Sequence, residues 1–170
     1  RGLSLPHYTE FDELGLVKQS RQQTDGQEYG FSYTYNLAGA LASETYPSGR
    51  TVNTSYDGVN RPNGVSGLLN AQGKNYLSNV GYWAHGALNY YALGSQPYPN
   101  NVYAVYSYNS RLQMSGFYAS LANAANGYLG IWSYDWGGTD NNGNLKSVTQ
   151  KAGRAGDGGG AGDVSAGVHL

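Results

Sequence analysis

Aromatic and small polar residues alternate strictly through one early stretch. Phe31, Tyr33 and Tyr35 are separated by Ser32 and Thr34, the period of two of a half-buried β-strand. Asn36-Leu37-Ala38-Gly39 then turns the chain, and Ala40 to Tyr46 returns as a partner strand. The same order of strand, Asp- or Asn-bearing turn and return strand recurs downstream. Thr51 to Tyr56 leads into Asp57-Gly58, a strong hairpin signal. Tyr76 to Leu93 turns at His85-Gly86. Val102 to Tyr108 turns at Asn109-Ser110 and returns from Arg111. Gly130 to Asp135 precedes a longer Gly/Asn-rich turn and the return Asn144 to Thr149. Tyr56, Tyr82, Tyr108 and Tyr134 stand 26 residues apart, with Tyr35 a further 21 residues upstream. A fixed interval of this size marks a repeat architecture. A divergent first unit opens at His7, with Phe11-Asp12 as its corner.

Several stretches break the pattern. Residues 19–28 are polar, and Asp25-Gly26 is a turn signal. Pro62 falls where a return strand begins, so that strand is expected to be short or at an edge. Asn63 to Lys74 reads as connection, as does Gly94 to Asn101. Ala119 to Asn126 is Ala-rich and ends at Gly127, which predicts the single short helix. Residues 151–170 hold seven glycines, while every Phe, Trp and Tyr lies between Tyr8 and Trp136. A tail of that kind cannot offset its ordering entropy by burial and is expected to be flexible. Continuation of the repeat would have called for another strand at this point, and a truncated or shifted reading frame is one explanation for its absence from the sequence pattern. The fold predicted is all-β: repeated antiparallel β-hairpins forming a curled strip or sheet over residues 1–150, at most one short helix, and a Gly/Ala-rich tail over 151–170.

Composition narrows what such a strip does. At 170 residues and a net charge of −1, nothing favours nucleic acid or an anionic membrane through bulk electrostatics. Only 12% of residues are charged, so solubility rests on amides and hydroxyls. The 17 tyrosines supply apolar bodies with polar tips, suited to half-buried faces and to surfaces that meet partners or sugars. Without cysteine there is neither a disulfide nor a thiolate metal site. No signal peptide is visible, and no apolar run approaches the roughly 20 residues of a membrane span. The chain begins without Met, as expected of a processed chain or a piece of a longer one.

The repeated units share the pattern aromatic-x-Tyr-(Asp/Asn)-x-x-Gly-(Arg)-Leu. It is seen in Tyr33-Thr34-Tyr35-Asn36-Leu37-Ala38-Gly39-Ala40-Leu41, in Ser55-Tyr56-Asp57-Gly58-Val59-Asn60-Arg61 and in Tyr106-Ser107-Tyr108-Asn109-Ser110-Arg111-Leu112. The pattern resembles the YD repeats of bacterial Rhs proteins and their relatives over roughly residues 7–150. It departs from them at Ala40 in place of Arg, at Pro62 in place of Leu, and at Gln113 after what reads as a shortened turn. The resemblance implies long curling strips of β-hairpins, with the Tyr of each unit stacked along the strip and the Asp or Asn closing each hairpin. In large members the strip coils into a shell around a C-terminal effector segment. This chain is too short to close such a shell, and neither an effector domain nor an autocleavage segment is recognisable. The resemblance also implies an extracellular or cell-surface bacterial setting.

Candidate chemistry lies where the repeat loosens. Asp140, Asn142 and Asn144, with Asp135 just before them, have the alternating oxygen spacing at which a loop wraps Ca²⁺. The glutamate of a full EF-hand loop is absent, so an ordinary Asn-Gly turn is the competing reading. Trp83, Tyr90, Tyr91, Tyr98, Trp132 and Trp136 lie at or near loops and are the candidate ligand-binding residues for a sugar ring. The anchor tyrosines are instead expected to pack between hairpins. Ser66 misses the Gly-x-Ser-x-Gly elbow at its last position, His85 sits in a turn, and neither Glu10, Asp12 and Glu13 nor Glu44 with Asp57 forms a convincing catalytic carboxylate pair. Three functions follow, in order: a structural or binding β-repeat module that self-associates through its edge strands; a small Ca²⁺-dependent hydrolase of a lactone, ester or glycoside; and a carbohydrate-binding module. An enzyme is the less favoured outcome.

Overall fold

A computed structural model describes residues 6–94, 101–121, 128–152 and 166–169. It contains the strands β1 (His7–Phe11), β2 (Val17–Thr24), β3 (Gln27–Tyr35), β4 (Leu41–Thr45), β5 (Thr51–Tyr56), β6 (Pro62–Leu69) and β7 (Gln72–Tyr82). These are followed by β8 (Leu88–Gly94), β9 (Asn101–Tyr108), β10 (Met114–Leu121), β11 (Tyr128–Asp135), β12 (Ser147–Ala152) and β13 (Ala166–His169). No helix occurs among the described residues. Hydrogen-bonded order follows chain order from β1 to β13. Strands β1 to β6 pair antiparallel in succession, and so do β7 to β13. Contacts divide the chain into two compact units, Arg1–Tyr76 and Leu77–Leu170.

In the first unit, alternation gives the sheet two chemically different faces. Tyr33 lies opposite Glu44, Glu44 opposite Val52 and Val52 opposite Gly67, so these share the aromatic and aliphatic face. Ser32, Thr45 and Thr51 form a row on the other face, as do Thr34, Ser43, Asn53 and Ser66. Their hydroxyls bond across strands, Thr34 Oγ1 with Ser43 Oγ at 2.6 Å and Thr45 Oγ1 with Thr51 Oγ1 at 3.0 Å. This face is polar throughout these rows, and at its β2–β3 end it carries the Arg21–Glu28 ion pair.

The second unit repeats the alternation. Tyr106, Phe117, Trp132 and Gln150 lie directly opposite one another in a row across β9 to β12. Tyr91, Ala104, Ala119, Gly130 and Ala152 form the row beside it. Core burial is slight: among the described residues the buried hydrophobic side chains are Ala92 and Ala104. Strands contact their sheet neighbours, so cohesion comes from ladders and cross-strand pairs, with no second layer packed on the described strands.

Three expectations change. Asn63 to Lys74 was expected to connect strands, yet it supplies most of β6 and the start of β7. One of its glycines is a seat for an aromatic ring: a side chain on Gly67 would fall 2.4 Å from the Tyr76 hydroxyl oxygen. Ala119, Ser120 and Leu121, expected in a helix, finish β10 because both β9 and β11 draw them into ladders; pairing overrides a weak helical propensity. Residues 122–126 of that stretch are outside the described ones. Of the tail, Lys151 and Ala152 end β12 opposite Ile131 and Gly130, and Ala166–His169 pairs with β12; the intervening residues also lie outside the described ones. The polar stretch 19–28 is β-structure turned at Asp25-Gly26, both residues having positive φ.

Candidate functional site

The hairpin corners are the most regular feature of the molecule. In the first unit Asp12, Asn36 and Asp57 each donate their backbone N–H to the carbonyl four residues on, at Leu16, Ala40 and Arg61 (2.8–2.9 Å). Each also accepts from the backbone N–H three residues on. The side-chain Oδ1 of each accepts two further backbone N–H groups, two and four residues on: Leu14 and Leu16, Ala38 and Ala40, Val59 and Arg61 (2.8–3.0 Å). This is a type I turn closed by a left-handed residue, the three-residue hairpin with a bulge. The short Asx side chain satisfies donors that the tight turn leaves unpaired.

The left-handed position falls at Gly15, Gly39 and Asn60, with φ of 79°, 77° and 64°. Glycine and asparagine tolerate it. Corners are tied to one another. Asn36 Nδ2 donates to Asn60 Oδ1 at 2.7 Å. Tyr35 and Tyr56 donate their hydroxyls to the carbonyls of Val17 and Leu41, at 2.8 and 2.7 Å. Each of these anchor tyrosines therefore caps the first residue of the preceding return strand. Arg61 Nε completes its corner by bonding Asp57 Oδ2 at 2.7 Å. The backbone N–H of Arg61, first among several donors, holds the Asp57 carboxyl below its ordinary pKa.

In the second unit Asn109 builds the same corner, its Oδ1 accepting from Arg111 N and Gln113 N at 3.0 Å each. The left-handed residue here is Leu112, with φ of 63°. The turn that read as shortened is therefore of full length: Leu112 occupies the glycine position, Gln113 the arginine position, and the return strand starts at Met114, opposite Tyr108. Trp83 and Gly86 make the same backbone corner without an Asx side chain. So does Tyr46 to Arg50 in the first unit, at the β4–β5 connection.

The Asp135 corner is extended. Lys146 N closes it on Asp135 O at 2.8 Å, and Asp135 Oδ1 accepts from Gly137 N at 2.9 Å. Of the candidate cation ligands, Asn142 Oδ1 accepts from Asn144 N at 3.0 Å. Asp140 pairs with Lys146, which holds its carboxyl below the ordinary carboxylate range. Asn141, which the sequence did not single out, ties the loop to the neighbouring corner. Its Nδ2 donates to Gln113 Oε1 at 2.7 Å, and Arg111 Nη1 donates to its backbone carbonyl. Among the described residues no three His, Cys, Asp or Glu side chains converge as a metal cluster would require.

The candidate ligand-binding aromatics are dispersed over several roles. Trp132 stacks on Phe117 at 5.0 Å, Phe117 on Tyr106 at 4.9 Å, and Tyr106 meets Tyr91 at 6.0 Å. The interplanar angles of 34–40° turn these ring faces largely toward one another. Burial first, and then the hydrogen bond with the Tyr91 hydroxyl at 3.3 Å, pushes the Tyr106 hydroxyl well above the usual tyrosine pKa. Trp136 Nε1 donates to Met114 O at 2.8 Å. Trp83 and Tyr90 remain the exposed rings, although Tyr90 lies across Gly81 and Trp83 Nε1 reaches Tyr106 O at 3.3 Å. Tyr98 lies outside the described residues. His85 packs edge-on against Tyr108 at 5.2 Å, and Ser66 sits mid-strand opposite Asn53, a position that offers no nucleophile elbow. A shallow groove of about 410 Å³ lies beside Gly30 in the first unit, with Ser20, Phe31 and Tyr46 along it and the Arg21–Glu28 ion pair at its rim.

The described residues thus form antiparallel β-hairpins in which one corner geometry recurs. No family model and no curated relative matches the chain. Solved structures do. A TcdB2-TccC3-Cdc42 structure aligns at a TM-score of 0.73 and 20% identity over 88% of this chain. A TcdB2-TccC3 structure lacking its hypervariable C-terminal region aligns at 0.74 and 19% identity over 88% of it. A Tc holotoxin pore of Photorhabdus luminescens aligns at 0.73 and 19% identity, again over 88%. In each case this chain spans 8% of the matched chain. At such identities the likeness concerns the fold.

Proposed function

We propose that this chain is a structural module of YD-like, Rhs-type repeats: a length of β-hairpin strip that works within a larger bacterial assembly outside the cytoplasm. The observation that carries this reading is the same corner, with the same side-chain-to-backbone bonds, at Asp12, Asn36, Asp57 and Asn109. Motif residues spent on backbone closure are unavailable as acids, bases or ligands. The match to short stretches of much longer toxin-complex chains supports a strip that is one part of an assembly.

The test is a pair of measurements on the purified chain. Exchanging the corner Asn36-Leu37-Ala38-Gly39-Ala40 for the sequence of residues 109–113 should leave the β-sheet circular dichroism and a cooperative unfolding transition in place. A panel of ester, lactone and glycoside substrates, with and without Ca²⁺, should show no saturable turnover. Turnover abolished by chelation or by Asp140→Asn would overturn the structural reading in favour of a hydrolase.

A further inference from the structure

Asn-Gly pairs occur in the chain at Asn63-Gly64, Asn126-Gly127 and Asn142-Gly143. In such a pair the glycine backbone nitrogen can attack the asparagine side-chain carbonyl carbon. Glycine has no Cβ to crowd the approach and rotates freely into the geometry required. The attack is intramolecular, so its rate follows from how closely the two atoms are held and how freely the peptide moves. Asn126 lies outside the described residues. The other two pairs sit in opposite surroundings.

Asn63 and Gly64 are inside β6. Gly64 is in register with Ser55, and Asn63 Oδ1 accepts the Ser55 hydroxyl at 2.7 Å. Both residues are half-buried, and attack requires the strand to leave its ladder first. Asn142 and Gly143 are exposed, in the extended corner between β11 and β12. Gly143 has φ of 94°, and nothing lies within 4 Å of where its Cβ would stand. Asn142 Oδ1 accepts from Asn144 N at 3.0 Å. That bond folds the side chain back over the Gly143 peptide, and it sets a donor on the oxygen where negative charge develops during attack. Asn142 Nδ2, the leaving nitrogen, has no hydrogen-bond partner among the described residues. One restraint opposes the reaction: Gly143 N donates to Asn141 Oδ1 at 3.0 Å. Asn141 is itself anchored, its Nδ2 donating to Gln113 Oε1 at 2.7 Å.

We propose that Asn142 is a site of spontaneous deamidation in the folded chain, and that Asn141 governs its rate by holding the Gly143 N–H. Gly143 N gives its proton to solvent hydroxide and bonds to Asn142 Cγ. The Cγ–Nδ2 bond breaks, and ammonia leaves with a proton taken from water. Water then opens the cyclic imide at either carbonyl, giving aspartate or isoaspartate. One water is consumed and one ammonia released, with no change of oxidation state. The product adds a carboxylate to a corner that already carries Asp135 and Asp140. In the isoaspartyl form the backbone runs through Cγ, and the Asn142–Asn144 turn bond is lost.

The whole chain is aged at mildly alkaline pH, digested under acidic conditions and mapped by mass spectrometry, with isoaspartate counted by enzymatic methyl transfer. In the folded chain the Asn142 peptide should convert about tenfold or more faster than the Asn63 peptide, which waits on local opening of a paired strand. In urea the two should convert within about twofold of each other, since both are then Asn-Gly pairs in an open chain. Asn141→Ala should keep the wild-type circular dichroism and leave Asn63 unchanged. It should speed conversion at Asn142 by about two- to tenfold, the loss of one exposed hydrogen bond. Asn63 converting as fast as Asn142 in the folded chain overturns the proposal. So does an Asn142 that stays intact when folded and converts only in urea. A rate at Asn142 that Asn141→Ala leaves unchanged or lowers overturns the control assigned to Asn141. None of these readouts involves substrate turnover, by which the structural-module reading stands or falls.

Discussion

Leu112 is the place where the corner geometry makes its sharpest quantitative demand. It sits at φ of 63°, where three of the equivalent corners in the chain place glycine at 77–79°. A left-handed conformation costs a residue with a Cβ about 1–2 kcal/mol. Leu112→Gly removes that strain but adds unfolded-state freedom worth about 0.4–1 kcal/mol. The side chain is 57% exposed, so little burial is lost with it. The net expectation is a gain of about 0.5–1 kcal/mol, or a rise in Tm of about 1–4 °C for a chain of this length. Urea denaturation followed by circular dichroism measures it, with the midpoint moving up and the slope unchanged. Gly15→Ala supplies the mirror experiment. Its φ is 79° and nothing lies within 4 Å of where the Cβ would stand, so the cost is backbone alone, about 1 kcal/mol of destabilisation. If Leu112→Gly lowers the midpoint, or Gly15→Ala raises it, the shared-corner argument is wrong at its root.

Three further outcomes follow from the same structure. Gly130→Ala, which brings a Cβ within 2.5 Å of the Trp132 ring, should destabilise by about 1–3 kcal/mol and shift the tryptophan emission. Gly30→Ala, with open space around it, should be neutral or slightly stabilising. The raised folded-state pKa of Tyr106 means its contribution is fully present below the unfolded tyrosine value of about 10 and declines as pH rises beyond it; Tyr106→Phe should flatten the alkaline limb of a Tm-against-pH curve. The depressed folded-state pKa of Asp57 means its contribution is present above the unfolded carboxylate value and is lost as pH falls through the folded one. Asp57→Asn, which retains the corner's acceptor as Asn36 and Asn109 do, should unfold with a shallower acid limb while keeping near-wild-type stability at neutral pH.

The legibility of this fold from the sequence was uneven, and the reasons are physical. Alternation of Phe31, Tyr33 and Tyr35 was readable because a strand's side-chain period is a local property. The Asp and Asn corners were readable for the same reason, since their bonds span only four residues. Gly67 misled, because the stretch around it reads as a connection until Tyr76 is seen lying across it from the neighbouring strand. Helical propensity at Ala119 to Leu121 likewise gave way to two flanking ladders that no local window contains.

The candidate sites show the same divide. Spacing put Asp135, Asp140, Asn142 and Asn144 on one turn, but spacing does not say that Lys146 takes Asp140 or that Asn141 spends its amide on Gln113. Trp132 and Tyr91 were candidates for a sugar ring on local position alone; register sets Trp132 in one row with Phe117 and Tyr106, and Tyr91 in the adjoining row with its ring against Tyr106. The chain by itself determined its repeat interval, its antiparallel hairpins and the chemistry of each corner, all of which rest on contacts within a few residues. Only the tertiary structure decided which face each tyrosine occupies, which glycines seat a ring and which polar groups are already satisfied, because a one-residue change in register between distant strands reverses every one of those assignments.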